Sequence, residues 1–386
     1  MSGDLGQRLQ SVRKRRGLTQ RELAAGSGVS VSFIRKIEQG ERDDARIETL
    51  RRLAVGLGCP LTALIGSEPE APESRNGEIW AETRRAIDTP RAPLLDEPVA
   101  DGDVAQSLTA AVRLYHDNSY EELALVLPEL VADSDSVSPR LRARILQLTG
   151  SVMVQTRQLR TARTVLERAL ASAESTDNAL DAASVVVTMC WLLLVERRFQ
   201  QVDQLAIGWA DQIEPRMSTA SERELSTWGW LLMRGSAAAV RDNRPDDADG
   251  MMRLAQAAAV AVTREQAECQ DYWTLFGPAT VAMKRVENAV IDDRPDLALH
   301  LAREVPTGLR PTSDNRNRHL LDVAQARLDL HHPDPALDIL LQLSREARPW
   351  LIEQRLAKDL LARLIGKRRT LTPDMRSLAD LIHLEY

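Results

Sequence analysis

The chain of 386 residues carries a formal net charge of −6, with 44% hydrophobic, 27% charged and 4% aromatic residues. The length predicts about two or three domains, and the composition excludes disordered, collagen-like and disulfide-rich chains while favouring helix. Because the three cysteines, at positions 59, 190 and 269, lie far apart without metal-ligand spacing, we expect no metal site and no cofactor.

The first 66 residues have the pattern of five short helices. Apolar residues spaced as i, i+4 and i+7 form one stripe of the first helix. Thr19 and Glu22 have the spacing of a capping box, and Ser30 can cap the next helix after the turn-forming "GSG". The predicted helices cover residues 5–16, 20–25, 31–39, 47–57 and 61–65.

The same segment is basic. It holds 12 Lys and Arg against 7 Asp and Glu, a net charge of +5, which leaves −11 for the other 320 residues. A small basic segment on a larger acidic chain predicts that this segment alone meets a polyanion.

Three stretches carry a resemblance to a known family: "GLTQRELA" at 17–24, "GVSVSFIRKIEQG" at 28–40 and "LRRLAVGLGCPLTALI" at 50–65. In order and spacing they resemble the Xre/Cro/phage-repressor helix-turn-helix family. The resemblance implies a five-helix, phage-repressor-like DNA-binding domain over residues 1–66, whose third helix enters the major groove of double-stranded DNA. It also implies an Arg13–Glu38 pair that ties the first helix to the third.

The family pattern then assigns DNA contacts residue by residue. Val31, Ser32 and Lys36 stand where relatives touch base edges, because a lysine can donate to guanine and a valine can pack on a thymine methyl. Phe33 lies at the margin of that surface. The resemblance implies phosphate contacts for Gln20, Arg42 and the basic cluster 13–16, and for Arg35 at the margin. Ser30, which can cap the helix, is counted with these DNA-facing positions.

The chain departs from the family at Asp43 and Asp44, where relatives often have basic residues and a proline. Two roles stay open for these acids. They could repel phosphate, or they could cap the fourth helix.

Residues 67–102 are predicted to be a linker with one short helix. The stretch 67–74, "SEPEAPES", is rich in Pro, Glu and Ser and lacks apolar periodicity. The stretch 76–88 places Trp80 and Ile87 on one side of a helix, and prolines follow it. We expect this helix to dock on the body that follows, and a dimer contact is the alternative.

Residues 103–386 repeat one pattern six times: a helix, a small polar turn and a second helix. The residues that open each second helix recur 38 to 50 positions apart: Tyr120, Leu159, Phe199, Pro245, Pro295 and Pro333. Three positions later stand Leu123, Ala162, Val202, Ala248, Ala298 and Ala336. The pattern predicts six helical hairpins stacked as a right-handed solenoid, with cap helices at 349–365 and 373–385.

This body resembles tetratricopeptide-type regulatory domains, and more narrowly the C-terminal halves of actinomycete Xre–TPR transcriptional regulators. The stretches "TLFGPATVAMKRVENAV" at 274–290 and "RNRHLLDVAQARL" at 316–328 carry the narrower resemblance. It implies an all-α chain whose TPR-like body senses a signal and dimerises. The chain departs from this pattern at Thr280 and Lys284, which stand where we expect Asn and His in relatives.

The first helices of the hairpins would line the concave face, the usual binding face of a solenoid. Thr280, Lys284 and Asn288 share one helix face there, with groups suited to a peptide backbone or a carboxylate. The candidate ligand contacts are Trp191, Arg234, Thr280, Lys284, Asn288, Arg318 and Asp322. The alternative is that these polar groups are merely solvated and that the tryptophan belongs to the core.

No catalytic motif interrupts this organisation: the sequence has no P-loop, zinc-protease helix or nucleophile elbow. The longest apolar run, 182–195, is too short to span a bilayer, and no secretory signal precedes the first helix. We therefore expect a cytoplasmic, non-enzymatic transcriptional regulator that responds to a peptide or a small metabolite.

One short recognition helix buries too little surface for tight binding, so we expect a homodimer that reads two half-sites. The alternative is a protein-interaction adaptor or anti-activator, in which the body docks a partner protein and the N-terminal domain localises it to DNA.

Overall fold

The computed structural model describes residues 3–42, 45–65, 75–89, 100–262, 269–271, 274–306, 313–366 and 371–384. The helices are α1 Gly3–Arg15, α2 Gln20–Ser27, α3 Val31–Glu38, α4 Ile47–Leu57, α5 Thr62–Ile65, α6 Ala81–Asp88, α7 Asp101–His116, α8 Tyr120–Asp133, α9 Pro139–Gln155, α10 Leu159–Glu174, α11 Ala179–Val195, α12 Phe199–Gln212, α13 Glu222–Arg241, α14 Pro245–Val262, α15 Pro278–Ile291, α16 Pro295–Ala302, α17 Asp314–Asp329, α18 Pro333–Glu346, α19 Arg348–Ile352, α20 Arg355–Gly366 and α21 Pro373–Leu381. Two short strands, β1 Cys269–Asp271 and β2 Thr274–Phe276, pair antiparallel between α14 and α15.

Helices α1 to α5 form the N-terminal unit, and their number and order confirm the five-helix prediction. The capping box is present, because the Thr19 hydroxyl accepts from the Glu22 amide while the Glu22 carboxylate accepts from the Thr19 amide at 2.7 Å. Gly28 closes α2 with a φ of 64°, a left-handed conformation that glycine adopts without steric cost. The Ser30 hydroxyl then accepts from the Phe33 amide and opens α3.

The linker helix docks on the body, as the sequence predicts. Trp80 and Ile87 are buried with the side chains of the first two hairpins. The Ile87 carbonyl accepts from the Arg168 guanidinium of α10 at 2.9 Å. The two polar stretches on either side of this helix, 66–74 and 90–99, lie outside the described residues.

Six helical hairpins follow at the predicted places: α7–α8, α9–α10, α11–α12, α13–α14, α15–α16 and α17–α18. The side chain three residues after each second helix opens is at most 2% exposed in every hairpin. Four of these six residues are alanine, which lets the two helices of a pair approach closely. The buried side chains run on from one hairpin to the next, so each hairpin covers the apolar face of its neighbour.

Each hairpin turns on one residue with a left-handed backbone that is not glycine. These residues are Asn118, Arg157, Arg197, Asn243, Asp293 and His331, with φ between 53° and 63°. In every turn the amide of the next residue donates to the carbonyl five positions back at 2.8 to 3.0 Å. This is the Schellman hydrogen bond that ends a helix, and it aims the chain directly into the second helix.

Two features of the body differ from the prediction. The sequence predicts no strands, whereas β1 and β2 form a small hairpin whose second strand packs on α13. The single cap helix predicted at 349–365 is two helices, α19 and α20. They separate at Glu353 and Gln354, where the Gln354 side-chain amide donates to the Trp350 carbonyl at 3.2 Å.

The β-hairpin is seated where α13 has no side chain. Any Cβ added at Gly229 would overlap the Phe276 ring, which is fully buried against this helix. The Trp230 indole N–H donates to the Leu275 carbonyl at 3.2 Å and fixes the strand beside it. Within the described residues, no helix combines the length and apolarity needed to cross a membrane.

We expect Gly229→Ala to lower the free energy of unfolding by about 1–3 kcal/mol, because the new methyl must displace a packed aromatic ring. The matched control is Gly208→Ala in α12, where an added Cβ has no heavy atom within 4 Å. That change should stabilise by up to about 1 kcal/mol through helix propensity. Thermal unfolding followed by circular dichroism compares the two, and equal midpoints would contradict the close packing of Phe276 on α13.

Candidate nucleic-acid interface and ligand site

Helix α3 presents a polar face to solvent and an apolar face to the core. Ile34 and Ile37 are buried, whereas Ser32, Arg35 and Lys36 are exposed. The exposure holds in the full chain, so the described part of the body does not cover this face. The structure therefore brings the predicted base-reading positions together on one accessible surface.

The margins of this surface are partly fixed by packing. Val31 and Phe33 are half-buried, and Phe33 packs against the core of the N-terminal unit. The exposed Arg42 guanidinium lies over the Phe33 ring at 4.8 Å from its centroid, which is cation–π geometry. Phe33 thus serves as a platform for Arg42. Asp43 and Asp44 lie outside the described residues, so neither of their two possible roles is tested.

A buried ion pair holds α3 against α1. The Arg13 guanidinium donates twice to the Glu38 carboxylate, at 2.6 and 2.7 Å, which confirms the pair that the resemblance implies. The side-chain amide of Gln20 donates to the same carboxylate at 2.8 Å. Burial raises the pKa of Glu38, but these hydrogen bonds outweigh burial and leave that pKa below its ordinary value. Gln20 therefore joins the start of α2 to this pair, and its phosphate contact stays a prediction.

The N-terminal unit is docked on the turns of the fourth and fifth hairpins, a contact that the sequence did not predict. Arg51 of α4 donates to the Asp292 carboxylate at 2.7 Å, and only 12% and 23% of these two side chains are exposed. The Leu61 amide donates to the Asp242 carbonyl at 3.4 Å. Neither contact has a local signal, because the partners lie more than 180 residues apart.

The predicted ligand residues of the body meet a larger interior cluster of charges. Arg234 of α13 lies over the rings of Trp191 and Trp230, at 5.8 and 5.0 Å from their centroids. Lys284 of α15 pairs with Glu287 at 2.8 Å. Because the first helices of successive hairpins supply these groups, stacking of the hairpins brings them together.

The rest of the cluster comes from α13 and α17. Arg318 pairs with Asp322 at 3.1 Å and lies 4.0 Å from Glu287. Arg241 also pairs with Glu287. Sequence reasoning missed Arg241 and Glu287. Their one available signal was the spacing of Glu287 three residues after Lys284 on the same helix.

Two predicted ligand residues are held inside the protein instead of facing the cluster freely. Thr280 is 1% exposed, and its hydroxyl donates to the Leu275 carbonyl of β2 at 3.3 Å. The Asn288 amide donates to the Ser236 hydroxyl at 2.7 Å, which joins α15 to α13. Both residues position α15, and a ligand role for them stays a prediction.

Several buried titratable groups surround the cluster. Burial raises the pKa of Asp314 to about 7 against a hydrogen bond from Tyr115, and burial raises the pKa of Asp322 to about 6. Burial lowers the pKa of His319 to about 4, so this imidazole is neutral near pH 7. Among the described residues, no group of three or more His, Cys, Asp or Glu is placed to hold a metal ion.

Comparison with known proteins identifies the N-terminal unit. Residues 9–64 match the Helix-turn-helix family model. The immunity repressor protein of Bacillus phage phi105 is 38% identical over 64 residues, 17% of this chain and 44% of that protein. The HTH-type transcriptional regulator SlrR of Bacillus subtilis is 33% identical over 78 residues, 20% of this chain and 51% of that protein. The chain thus spans about half the length of the curated relatives it matches.

Two solved structures cover more of the chain at low similarity. PlcR of Bacillus thuringiensis, in complex with the peptide PapR7 and DNA, covers 78% of this chain and 95% of its own at 12% identity and a TM-score of 0.39. The apo form of the competence regulator ComR from Streptococcus vestibularis covers 83% and 99% at 12% identity and a TM-score of 0.34. At these scores the two structures carry no argument about how the body is arranged or what it binds, so both questions are addressed from this chain's own contacts.

The family match and the five-helix geometry agree on the same residues, from the capped α2 to the exposed α3. The chain therefore carries, at its N-terminus, a helix-turn-helix domain of the Xre type.

Proposed function

We propose that this protein is a DNA-binding transcriptional regulator whose helical body senses an effector and controls the N-terminal domain. The observation that carries the proposal is the exposed face of α3 within a helix-turn-helix domain. The relatives that match this domain are named as a repressor and transcriptional regulators. We assign residues 1–66 to DNA binding, 67–102 to the linker and 103–386 to sensing and dimerisation, with no catalytic role.

We assign sequence readout to Val31, Ser32 and Lys36. Lys36 stands on the exposed face of α3, where an ammonium can reach guanine O6 and N7 in the major groove. Arg35 and Arg42 are exposed beside it and suit phosphate contacts, which position the protein without reading sequence. Since one such helix makes few contacts, we propose a homodimer on two half-sites about one helical turn apart or a multiple of that. Binding to chromosomal DNA would place the protein in the cytoplasm.

We expect the double variant Ser32→Ala with Lys36→Ala to lose at least about tenfold in affinity for its operator and to relax base preference, because direct base contacts are removed. Arg35→Ala or Arg42→Ala should instead weaken all sequences alike and reduce the salt dependence by about one counterion. Mobility-shift assays on DNA upstream of the protein's own gene, with scrambled DNA in parallel, measure both effects.

The control for lost positive charge is Arg253→Ala on α14, where 74% of the arginine side chain is exposed. It should bind operator as the wild type does. If the double variant kept both its affinity and its sequence preference, α3 would not be the reading helix.

We propose further that the body controls DNA binding through the docked Arg51–Asp292 contact. The contact holds the N-terminal domain by α4 and leaves the reading face of α3 open to solvent. A domain held in one orientation loses less freedom on binding DNA than a tethered, rotating one. Docking therefore favours operator binding and sets the distance between the two reading helices of a dimer.

We expect Asp292→Asn to weaken operator binding by about threefold to tenfold and to relax the required half-site spacing, since a buried guanidinium loses its counter-charge. Asp293→Asn is the matched control, because Asp293 and its partner Arg52 are both more than half exposed and 3.4 Å apart. The measurement is operator affinity on DNA with half-sites at two spacings. Tighter binding by the Asp292 variant would show that docking represses binding instead.

A further inference from the structure

The interior charge cluster of the body lies deep in the protein and yet is accessible to water. Side-chain exposure is 18% for Arg241, 16% for Lys284 and 32% for Arg318. Burial nevertheless lowers the pKa of Lys284, and it lowers the pKa of Arg234 to about 10. Groups that are surrounded by protein on most sides while solvent still reaches them line a recess. We call these four residues and the space they face the basic recess.

Positive charge exceeds negative charge in the basic recess. Among the described residues, the four cations face two paired carboxylates, Glu287 and Asp322. The pKa of Glu287 is held well below its ordinary value, so this carboxylate stays charged. Among these described groups the cations outnumber the paired carboxylates by two, and an anion bound beside them would offset the cost of burying that excess charge.

Arg234 is the cation best placed for a ligand. Its guanidinium carbon lies over the rings of Trp191 and Trp230, and its Nε–H has no hydrogen-bond partner among the described residues. A planar guanidinium offers its N–H donors as a fork that matches two oxygens of one carboxylate or phosphate. On α17, the helix that carries Arg318, Asn317 Nδ2 and Asp314 Oδ1 also find no hydrogen-bond partner in the described part of the chain.

The size of the ligand follows from how the body closes. The Tyr115 hydroxyl at the end of α7 lies close enough to the Asp314 carboxylate at the start of α17 for each group to shift the pKa of the other, so the first and last hairpins approach each other here. Arg234 also lies close enough to Tyr115 for its positive charge to oppose the rise of the Tyr115 pKa. An extended peptide running along the inner face would have to part this contact. The recess therefore suits a compact molecule.

We propose that the basic recess binds a small organic dianion, a dicarboxylate or a phosphate ester, whose oxygens pair with Arg234, Lys284 and Arg318. The inference rests on the proposed function, since it names the chemical class of the effector that the body senses. Glu287, shared by Lys284, Arg241 and Arg318, then keeps the cations apart and correctly spaced.

The test uses the full-length protein with succinate and inorganic phosphate as probes. Thermal unfolding is measured against the concentration of each probe, with chloride adjusted to keep ionic strength constant. We expect a saturable rise in the unfolding midpoint of the wild type, because a ligand that binds only the folded state stabilises it. A rise with succinate alone indicates a dicarboxylate, and a rise with phosphate alone indicates a phosphate ester.

The test variant is Arg234→Met, which removes a cation that has no ion pair among the described residues and should fold at least as stably as the wild type in chloride. Its unfolding midpoint should no longer respond to the probe, or the probe concentration that gives half of the rise should increase at least tenfold. Arg253→Met, at an exposed arginine on α14, controls for net charge and should respond as the wild type does. The proposal would be overturned if the unfolding midpoint of the wild type showed no saturable rise at millimolar probe concentrations, up to 50-fold above the protein concentration. Equal responses of the two variants would overturn it as well.

Mobility shifts on the operator in the presence of the probe separate this proposal from the one it rests on. Probe binding that depends on Arg234 without any change in DNA affinity supports the recess and contradicts effector sensing. Operator binding that persists when no probe binds leaves the DNA-binding function standing and removes the recess.

Discussion

The helical body depends on one backbone constraint, the left-handed residue at the turn of each hairpin. A non-glycine residue held at φ near 60° costs about 1 kcal/mol, so six such residues are tolerated only because the surrounding packing over-determines them. The Schellman hydrogen bond that follows each one fixes the direction of the second helix. With the direction fixed, the small buried residue three positions into that helix always meets its partner helix at the same place. The backbone geometry of the turn therefore defines the repeat more than the identity of its residues does. For this reason the number of residues between successive turns can vary.

Regular stacking has a chemical consequence for the inner helices. Helices α13, α15 and α17 each bring charged residues to the same side, and residues far apart in the sequence become neighbours. A protein interior tolerates such a cluster only when hydrogen bonds, counter-charges or water satisfy it. Glu287 supplies one shared counter-charge for three cations, and the positive charge that remains among the described residues is the ground on which we propose the basic recess as an anion site.

The parts of this structure that the sequence predicts are those with local signals. The capping box at Thr19, the Ser30 cap and the six hairpin turns each lie within a few residues of the chain, and all are present. The α3 face could be assigned because its spacing matches a known family, and the exposure of Ser32 and Lys36 agrees with that assignment. The roles of these side chains on DNA remain predictions.

The parts that the sequence does not predict depend on contacts between distant residues. Arg51 with Asp292, Tyr115 with Asp314 and Phe276 over Gly229 each join segments that no local pattern relates. The same limit affected Thr280 and Asn288. Their spacing with Lys284 correctly predicts one shared helix face. Their hydrogen bonds to β2 and α13 depend on where those elements lie, which the spacing does not determine.

The basic recess and the DNA-binding domain are joined by the ends of two helices. Arg241 of the recess is the last residue of α13, and the next residue, Asp242, accepts from Leu61 of the N-terminal domain. Glu287 of the recess lies little more than one turn before Asp292, which holds Arg51. An anion that competes with Glu287 for Lys284 and Arg241 would therefore act on both docking turns, through the adjacent residue at Asp242 and over about 7.5 Å of helix at Asp292. Because a tenfold change in DNA affinity needs only about 1.4 kcal/mol of coupling, the loss or gain of one such contact is sufficient.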